Sequence, residues 1–168
     1  MAFAANSRIG RLVELRLFGD TTLEEALEFE RATRECIATC ARRAGGPVVI
    51  CTDSRDSQLL RPEVSERLVG LMRGGNRTVE RNGVLGSTSA LTSLQAVRII
   101  TLAESEKRRR VFTRVEALLA WLDEVLDPHE QARLREFLAE HPSSGGNLAA
   151  FGGAAPAPPT PRRPPSGD

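Results

Sequence analysis

The chain has 168 residues, of which 40% are hydrophobic and 27% charged, and its formal net charge is +1. This size and hydrophobic fraction predict one domain with one core. The near-neutral charge argues against nucleic-acid binding, which needs a concentrated basic face. No stretch approaches the roughly 20 apolar residues of a membrane span, and the first residues lack the pattern of a secretory signal. We therefore expect a cytoplasmic protein without membrane insertion.

The chain contains three cysteines, Cys36, Cys40 and Cys51. An odd number without a secretory signal favours reduced thiols, and we expect all of them to act as small buried apolar residues. The only histidines, His129 and His141, fall in the C-terminal region. A zinc site would therefore lack ligands near the cysteines, and we expect neither a metal nor a cofactor.

The first half of the chain predicts two strands, a helix and a buried strand. Residues 11–18 alternate in hydrophobicity, and residues 2–5 are predicted to form a hairpin with them. Residues 20–22 begin a helix that ends at residues 45–47, and the continuous apolar run 48–51 is typical of a strand covered on both faces. The residues expected on the inner face of the helix are Leu23, Ala26, Leu27, Cys36, Ile37 and Cys40.

Two further helices flank a short core strand at residues 83–86. The first begins at Pro62, where a missing N–H has no cost, and the second spans 90–102 with Ser87 or Ser89 as its cap. Periodicity assigns an inner face to each helix. The residues expected to face inward are Val64, Leu68, Leu71 and Met72 in the first helix, and Leu91, Leu94, Val97 and Ile100 or Thr101 in the second.

The C-terminal part carries two capping-box patterns. Thr113 with Glu116 predicts a helix after an edge strand at residues 110–112, and Asp127 with Glu130 predicts a second helix over 128–140. Residues 142–168 are rich in proline, glycine and alanine, a composition that predicts a disordered tail. We expect a domain of residues 1–141, with a core of about 8–126 and an appended helix 128–140.

Strands separated by helices imply crossover connections and a mainly parallel sheet. The chain resembles the STAS domain superfamily, most closely divergent bacterial SpoIIAA-like (STAS/SEC14-annotated) proteins. The segments that carry the resemblance are RLVELRLFGDTTLEEA, GGPVVICTD followed by RPEVSERLVGLMR, and RRRVFTRVEALLAWL. The resemblance implies an α/β fold with a four- or five-stranded mixed sheet, helices packed mainly on one face, and a non-enzymatic regulatory role.

The resemblance fails at the phosphoacceptor. Antagonists of this superfamily carry Asp-Ser-Ser/Thr-Gly at the helix that follows the central strand, where the serine is phosphorylated. Here Pro62 and Glu63 occupy that place. Glu63 would supply a fixed negative charge at the helix N-terminus. Ser57 and Ser65 remain as candidate phosphorylation sites.

The polar segment after the central strand is the candidate site. We interpret residues 53–57 as a loop at the carboxyl end of that strand, where open α/β sheets bind their ligands, although aspartate and serine also cap their own backbone in ordinary loops. A second loop, Ser87, Thr88 and Ser89, could hold an anion at a helix N-terminus. The residues predicted to bind a partner are Asp53, Ser54, Arg55, Asp56, Ser57, Arg61 and Glu63.

We expect a non-catalytic regulatory or adaptor domain that binds another cytosolic protein, such as a kinase-type signalling regulator. No G-x-S-x-G segment is present and the histidines lie away from the ligand edge, so we expect no enzyme. The alternative is a sensor of a small phosphate-bearing or lipid-like ligand, bound by the serine loops at the carboxyl edge. Homodimerisation stays open.

Overall fold

The computed structural model describes residues 2–140, so the predicted tail 142–168 lies outside the described residues. The strands and helices follow the predicted order. The strands are β1 (Ala2–Asn6), β2 (Leu12–Gly19), β3 (Val48–Ser57), β4 (Val79–Gly86) and β5 (Arg109–Phe112). The helices are α1 (Leu23–Ala44), α2 (Pro62–Gly75), α3 (Ala90–Leu102), α4 (Val115–Asp123) and α5 (Pro128–Ala139).

The five strands form one sheet in the order β1-β2-β3-β4-β5. β1 pairs antiparallel with β2, as the predicted hairpin requires, and all other pairs are parallel. Each parallel pair is joined by one helix, the connection that parallel neighbours need. The mainly parallel mixed α/β sheet is therefore confirmed. None of the described helices is both long and apolar enough to cross a membrane.

The sheet has an apolar core on each face, because successive side chains of a strand point to opposite sides. On one face, Val13 and Leu15 of β2 pack with residues of α1, α2 and α3, among them Phe29, Leu68 and Ile99. On the other face, Leu12, Val49 and Cys51 pack with residues of α4 and α5, among them Leu118, Trp121, Leu122, Leu134 and Phe137. The appended helix is thus an integral part of the second core.

One predicted capping box is correct and one is wrong. Asp127 accepts from the Glu130 N–H at 2.9 Å, and the Glu130 carboxylate accepts from the Asp127 N–H at 3.0 Å. Thr113 and Glu116 form no such box, because α4 begins one residue later, with Arg114 at the N-cap. Glu116 then occupies the second helical position, which cannot reach back to the cap, and it pairs with Arg114 instead.

Two strands are longer than predicted. β4 begins at Val79 rather than at residue 83, and β3 continues through residues 53–57, whose polar composition predicts a loop. β2 pairs with this extension up to the contact of Gly19 with Ser57. The extension is possible because its polar side chains form hydrogen bonds on both faces of the sheet.

The predicted inner faces of two helices are partly wrong. Leu23 and Leu27 of α1 are exposed. In α3, Leu91, Leu94 and Val97 are exposed, whereas Ile99 and Ile100 are buried. Gln95 contributes to this orientation of α3, because its side chain donates to the Leu60 carbonyl at 2.7 Å and accepts from the Leu60 N–H at 2.8 Å.

Candidate functional site

The carboxyl end of β3 contains a β-bulge. Arg16 pairs with Asp53, and the next aligned pair joins Phe18 to Asp56, so β3 has one extra residue here. An extra residue changes the alternation of the side chains along the strand. As a result Ser54 and Ser57, three positions apart, line the same cavity on the α2–α3 side of the sheet.

Asp53 lies on the opposite side, beneath α5, and is only 2% exposed. Its carboxylate accepts two hydrogen bonds from Arg55, from Nε at 2.9 Å and from Nη2 at 2.8 Å. The Nε of Arg16 lies 3.6 Å from the same carboxylate. The hydrogen bonds to Asp53 raise the pKa of Arg55, whereas burial lowers the pKa of Arg16. The buried Asp53 and Arg16 therefore form an ionic cluster with the half-buried Arg55.

This cluster receives the C-terminal end of α5. Arg16 donates to the Phe137 carbonyl and Arg55 donates to the Leu138 carbonyl at 3.0 Å. The Arg16 guanidinium also stacks 4.2 Å from the centre of the Phe137 ring. The last carbonyls of a helix have no partner within it and carry partial negative charge. The two arginines supply both the donors and the positive charge.

A second ion pair fixes α5 one turn further back. The Arg133 guanidinium binds Glu14 of β2 through Nε and Nη2, and its Nη1 donates to Glu140 at 2.7 Å. These carboxylates raise the pKa of Arg133, and the hydrogen bonds from Arg133 lower the pKa of Glu140. The charged residues of β2 and β3 thus bind a helix of the same chain.

The serines of β3 have partners within the domain. Ser54 donates to the Leu85 carbonyl at 3.0 Å, and Ser57 donates to the Gln58 carbonyl at 3.2 Å. Both line a cavity of about 60 Å³, which we call the Ser54 cavity. Most of its other walls are apolar side chains of the sheet and of α2 and α3: Leu17, Leu60, Leu68, Met72, Val84 and Ile99.

The remaining predicted partner-binding residues divide between the bulge and the start of α2. Asp56 is half-buried at the bulge. Arg61 is exposed and pairs with Asp20 at 3.0 Å, and Glu63 is exposed in the first turn of α2. Ser65, the second candidate phosphorylation site, is half-buried and accepts a hydrogen bond from Gln95 at 3.3 Å. The structure thus separates Arg61 and Glu63 from the buried Asp53.

The Ser87–Ser89 segment forms a local turn before α3. The Ser87 hydroxyl accepts from the Ser89 N–H at 3.2 Å, and the Ser87 carbonyl accepts from Ser93. Ser89 is the N-cap of α3 but its side chain makes no capping hydrogen bond. Thr88 and Ser89 are exposed and do not line the Ser54 cavity.

An exposed apolar surface lies where sequence periodicity predicted core. Leu91 and Leu94 of α3 are 68% and 65% exposed, and Val97 is 48% exposed. Leu59 is 53% exposed and precedes Leu60, whose carbonyl accepts a hydrogen bond from Gln95 of α3. We call Leu59, Leu91, Leu94 and Val97 the α3 surface. An apolar residue at every third or fourth position predicts one common face but not whether that face points inward.

The described residues offer little nucleophilic or metal-binding chemistry. Within residues 2–140, no three His, Cys, Asp or Glu side chains are grouped so as to hold a metal ion. Burial raises the pKa values of the Cys36, Cys40 and Cys51 thiols above their usual range. Thiols in this state are poor nucleophiles, because the thiolate is the reactive form.

Comparison with known proteins supports the architecture. No protein-family model matches the sequence, and no curated protein matches it significantly. The chain is similar to a solved structure of an uncharacterized protein from the DUF3478 family with a SpoIIAA-like fold, from Shewanella loihica PV-4. The two have 14% sequence identity and a TM-score of 0.53, over 71% of this chain and 93% of that chain. The chain therefore has the SpoIIAA-like fold that the resemblance to the STAS superfamily implies.

Proposed function

We propose that this chain is a non-catalytic regulatory or adaptor domain of the bacterial cytosol that binds another protein through the α3 surface. The observation that carries the proposal is the high exposure of Leu91 and Leu94 on a helix whose opposite side packs into the core. Large apolar side chains grouped on a surface are typical of protein–protein contact sites. The proposed contact surface is therefore α3 with Leu59, in place of the partner site that the sequence predicts at residues 53–57.

The composition of α3 indicates the kind of partner. Arg98 is the only charged residue between Ala90 and Leu102. A partner that covers the α3 surface would present an apolar helix face or groove, with an acidic side chain opposite Arg98. Arg61 and Glu63 follow Leu59 closely in the chain and are exposed, so they would add polar contacts at the border.

We expect this binding to be independent of phosphorylation. The Ser57 side chain is buried in the sheet and its hydroxyl is bonded to the Gln58 carbonyl. The N-terminal end of a helix favours a negative charge, and Glu63 already supplies one in the first turn of α2. Ser65→Ala should therefore leave the affinity for the partner unchanged.

The test compares two double variants of the full chain. Leu91→Glu with Leu94→Glu places charges on the α3 surface, while Leu23→Glu with Leu27→Glu places them on exposed positions of α1. Proteins of the source organism that bind the wild type would be purified. Their dissociation constants for the wild type and for both variants would then be measured by titration calorimetry.

We expect at least a tenfold weaker affinity for the α3 variant, with the α1 variant close to the wild type. Equal binding by both variants would contradict the assignment of the surface. Light scattering of the purified chain provides a second check. A wild-type dimer that becomes a monomer only in the α3 variant would show that the surface binds a second copy of this chain rather than an adaptor's partner.

The alternative function, binding of a small phosphate-bearing or lipid-like ligand, is favoured by one observation. The Ser54 cavity combines apolar walls with polar groups at the carboxyl edge of the sheet, and its volume of about 60 Å³ would hold one small group of such a ligand, with the rest of the ligand outside. A ligand at 100 times its dissociation constant would add about 2.7 kcal/mol to the stability, which a thermal-shift screen would detect. No shift with nucleotides, lipids or acyl-CoAs would contradict this alternative.

A further inference from the structure

Arg109 of β5 is a buried cation without an acidic partner among the described residues. It is 4% exposed, and its buried Nε atom has no hydrogen-bond partner within residues 2–140. Within residues 2–140 the charged group that acts on it is another cation, Arg108. A buried charge without a counter-charge is strongly destabilising, so the surroundings of this guanidinium favour an anion.

The end of α2 compensates part of this charge. Arg109 Nη2 donates to the Met72 carbonyl at 3.1 Å, in the last turn of the helix. Such carbonyls carry only a fraction of a unit charge between them. The Thr33 hydroxyl of α1, a second polar group nearby, is buried and has no hydrogen-bond partner in the described part of the chain.

Arg109 and Thr33 line the same cavity, which lies between α1, α2 and the sheet and measures about 50 Å³. Its polar wall also includes Thr52 and Asn82, which are hydrogen-bonded to each other at 3.2 Å. The remaining walls are mainly apolar and include Leu15, Phe29, Ile37, Ile50 and Leu71. We call this space the Arg109 cavity.

We propose that the Arg109 cavity binds a small carboxylate, whose oxygens accept from the Arg109 guanidinium and whose alkyl part contacts the apolar wall. A planar carboxylate matches the fork of guanidinium donors better than a spherical ion does. The volume exceeds the roughly 10–15 Å³ that one water needs and is far below the roughly 150 Å³ that holds benzene. Formate, acetate and propionate are therefore the size class that the site would take.

This site is separate from the proposed docking contact, because none of the α3-surface residues lines the cavity. It can therefore exist whether or not α3 binds a partner. The Arg109 cavity shares Leu17, Thr52, Leu68 and Met72 with the Ser54 cavity as common walls. Arg109 itself lines the Arg109 cavity but not the Ser54 cavity.

The test measures the melting temperature of the full chain in chloride-free buffer with added sodium formate, acetate, propionate, hexanoate or chloride. Sodium sulfate at equal ionic strength serves as the reference. We expect a saturable rise of about 5 °C or more at 100 times Kd for the best short carboxylate. The rise should be smaller with hexanoate and with chloride.

Two variants assign the effect to the cavity. Arg109→Met should abolish the carboxylate-induced rise, whereas Arg108→Met, which changes the exposed neighbouring arginine, should retain it. If Arg109→Met does not fold, the arginine ¹⁵Nε–¹Hε resonances of the wild type provide the second readout. One protected resonance should then shift with the same Kd as the thermal titration.

Three results would overturn the proposal. These are the absence of a saturable carboxylate effect in the wild type, an equal effect in Arg109→Met, and an equal or larger effect of chloride or hexanoate. Failure of this test would leave the binding measurements on the α3 surface unaffected, so the two proposals are distinguishable.

Discussion

Arg133 and Glu14, which lie 119 residues apart in the chain, form a doubly hydrogen-bonded ion pair inside the protein. Arg133 Nε is 2.6 Å from one carboxylate oxygen and Nη2 is 2.8 Å from the other. Glu14 is 1% exposed and Arg133 is 5% exposed. The pair joins the second strand to the last helix, so the sheet and α5 are parts of one structural unit.

The two halves of this pair should respond differently to mutation. Arg133→Met leaves Glu14 buried without its counter-charge, which should cost about 3–5 kcal/mol of unfolding free energy. Glu14→Leu should cost less, because Arg133 still binds Glu140 at 2.7 Å. The double variant should be more stable than Arg133→Met alone. Urea unfolding monitored by circular dichroism measures all three, and equal losses for both single variants would contradict this account.

Removal of α5 should destabilise the domain severely. A chain ending at residue 126 lacks Leu134, Phe137 and Leu138, and burial of three such side chains is worth roughly 5–9 kcal/mol. It also leaves Arg16 and Arg55 without the carbonyls of α5. The control, a chain ending at residue 140, retains every described element and should melt like the full chain. Similar melting temperatures for the two truncations would show that α5 is an independent arm.

Gly10 should not tolerate a side chain. Its φ is +52°, and an added Cβ would lie 2.9 Å from Glu130 Cδ, too close for a normal contact. Gly45 has a similar φ of +69°, and no atom of the described residues lies within 4 Å of a Cβ added there. Gly45→Ala should therefore cost only the backbone strain, about 1–2 kcal/mol. Gly10→Ala should cost clearly more, as measured by chemical denaturation. Equal costs would mean that Glu130 moves aside freely.

Stability should fall above pH 8.5, where the thiols of the unfolded chain lose their protons. Burial raises the pKa of Cys51 in the folded state, so the folded chain retains its proton while the unfolded chain does not. Each such thiol then lowers the unfolding free energy by up to about 1.4 kcal/mol per pH unit. Below pH 8.5 this contribution is fully retained.

Cys51→Ala should reduce that slope, whereas Val49→Ala, a control in the same core without a titrating group, should not. Urea titrations between pH 8 and 10 provide the comparison. Burial lowers the pKa of Arg109 to about 10. Loss of the Arg109 proton should therefore raise the unfolding free energy only above about pH 10, outside the range of this comparison. An unchanged slope in Cys51→Ala would contradict the assignment to this thiol.

The order of strands and helices could be predicted because their signals are local. Glycines and prolines mark the ends of elements, and Asp127 with Glu130 marks the start of α5 within four residues. The extension of β3 could not be predicted in this way. Asp53 and Arg55 are residue types typical of loops. In the folded chain they contact Arg16 and the end of α5, and these partners lie far away in the sequence.

The candidate sites depend on similar long-range relationships. Leu91 and Leu94 have the spacing of core residues. The hydrogen bonds of Gln95 to Leu60 contribute to an orientation of α3 in which these leucines are exposed. Arg109 stands in a basic run between Arg108 and Arg110, and no local feature distinguishes it from either neighbour. The tertiary position of β5 buries only the middle arginine of the three.

The capping of α5 by the arginines of β2 and β3 has a consequence for folding kinetics. Contacts between residues as distant as Arg16 and Phe137 require closure of a loop of 121 residues, and such contacts slow the formation of the folded state. Until α5 docks, the ionic cluster of the central strands stays solvated and the second core stays open. Docking of the last helix should therefore be part of the rate-limiting step, and hydrogen exchange in β2, β3 and α5 should occur through one common opening.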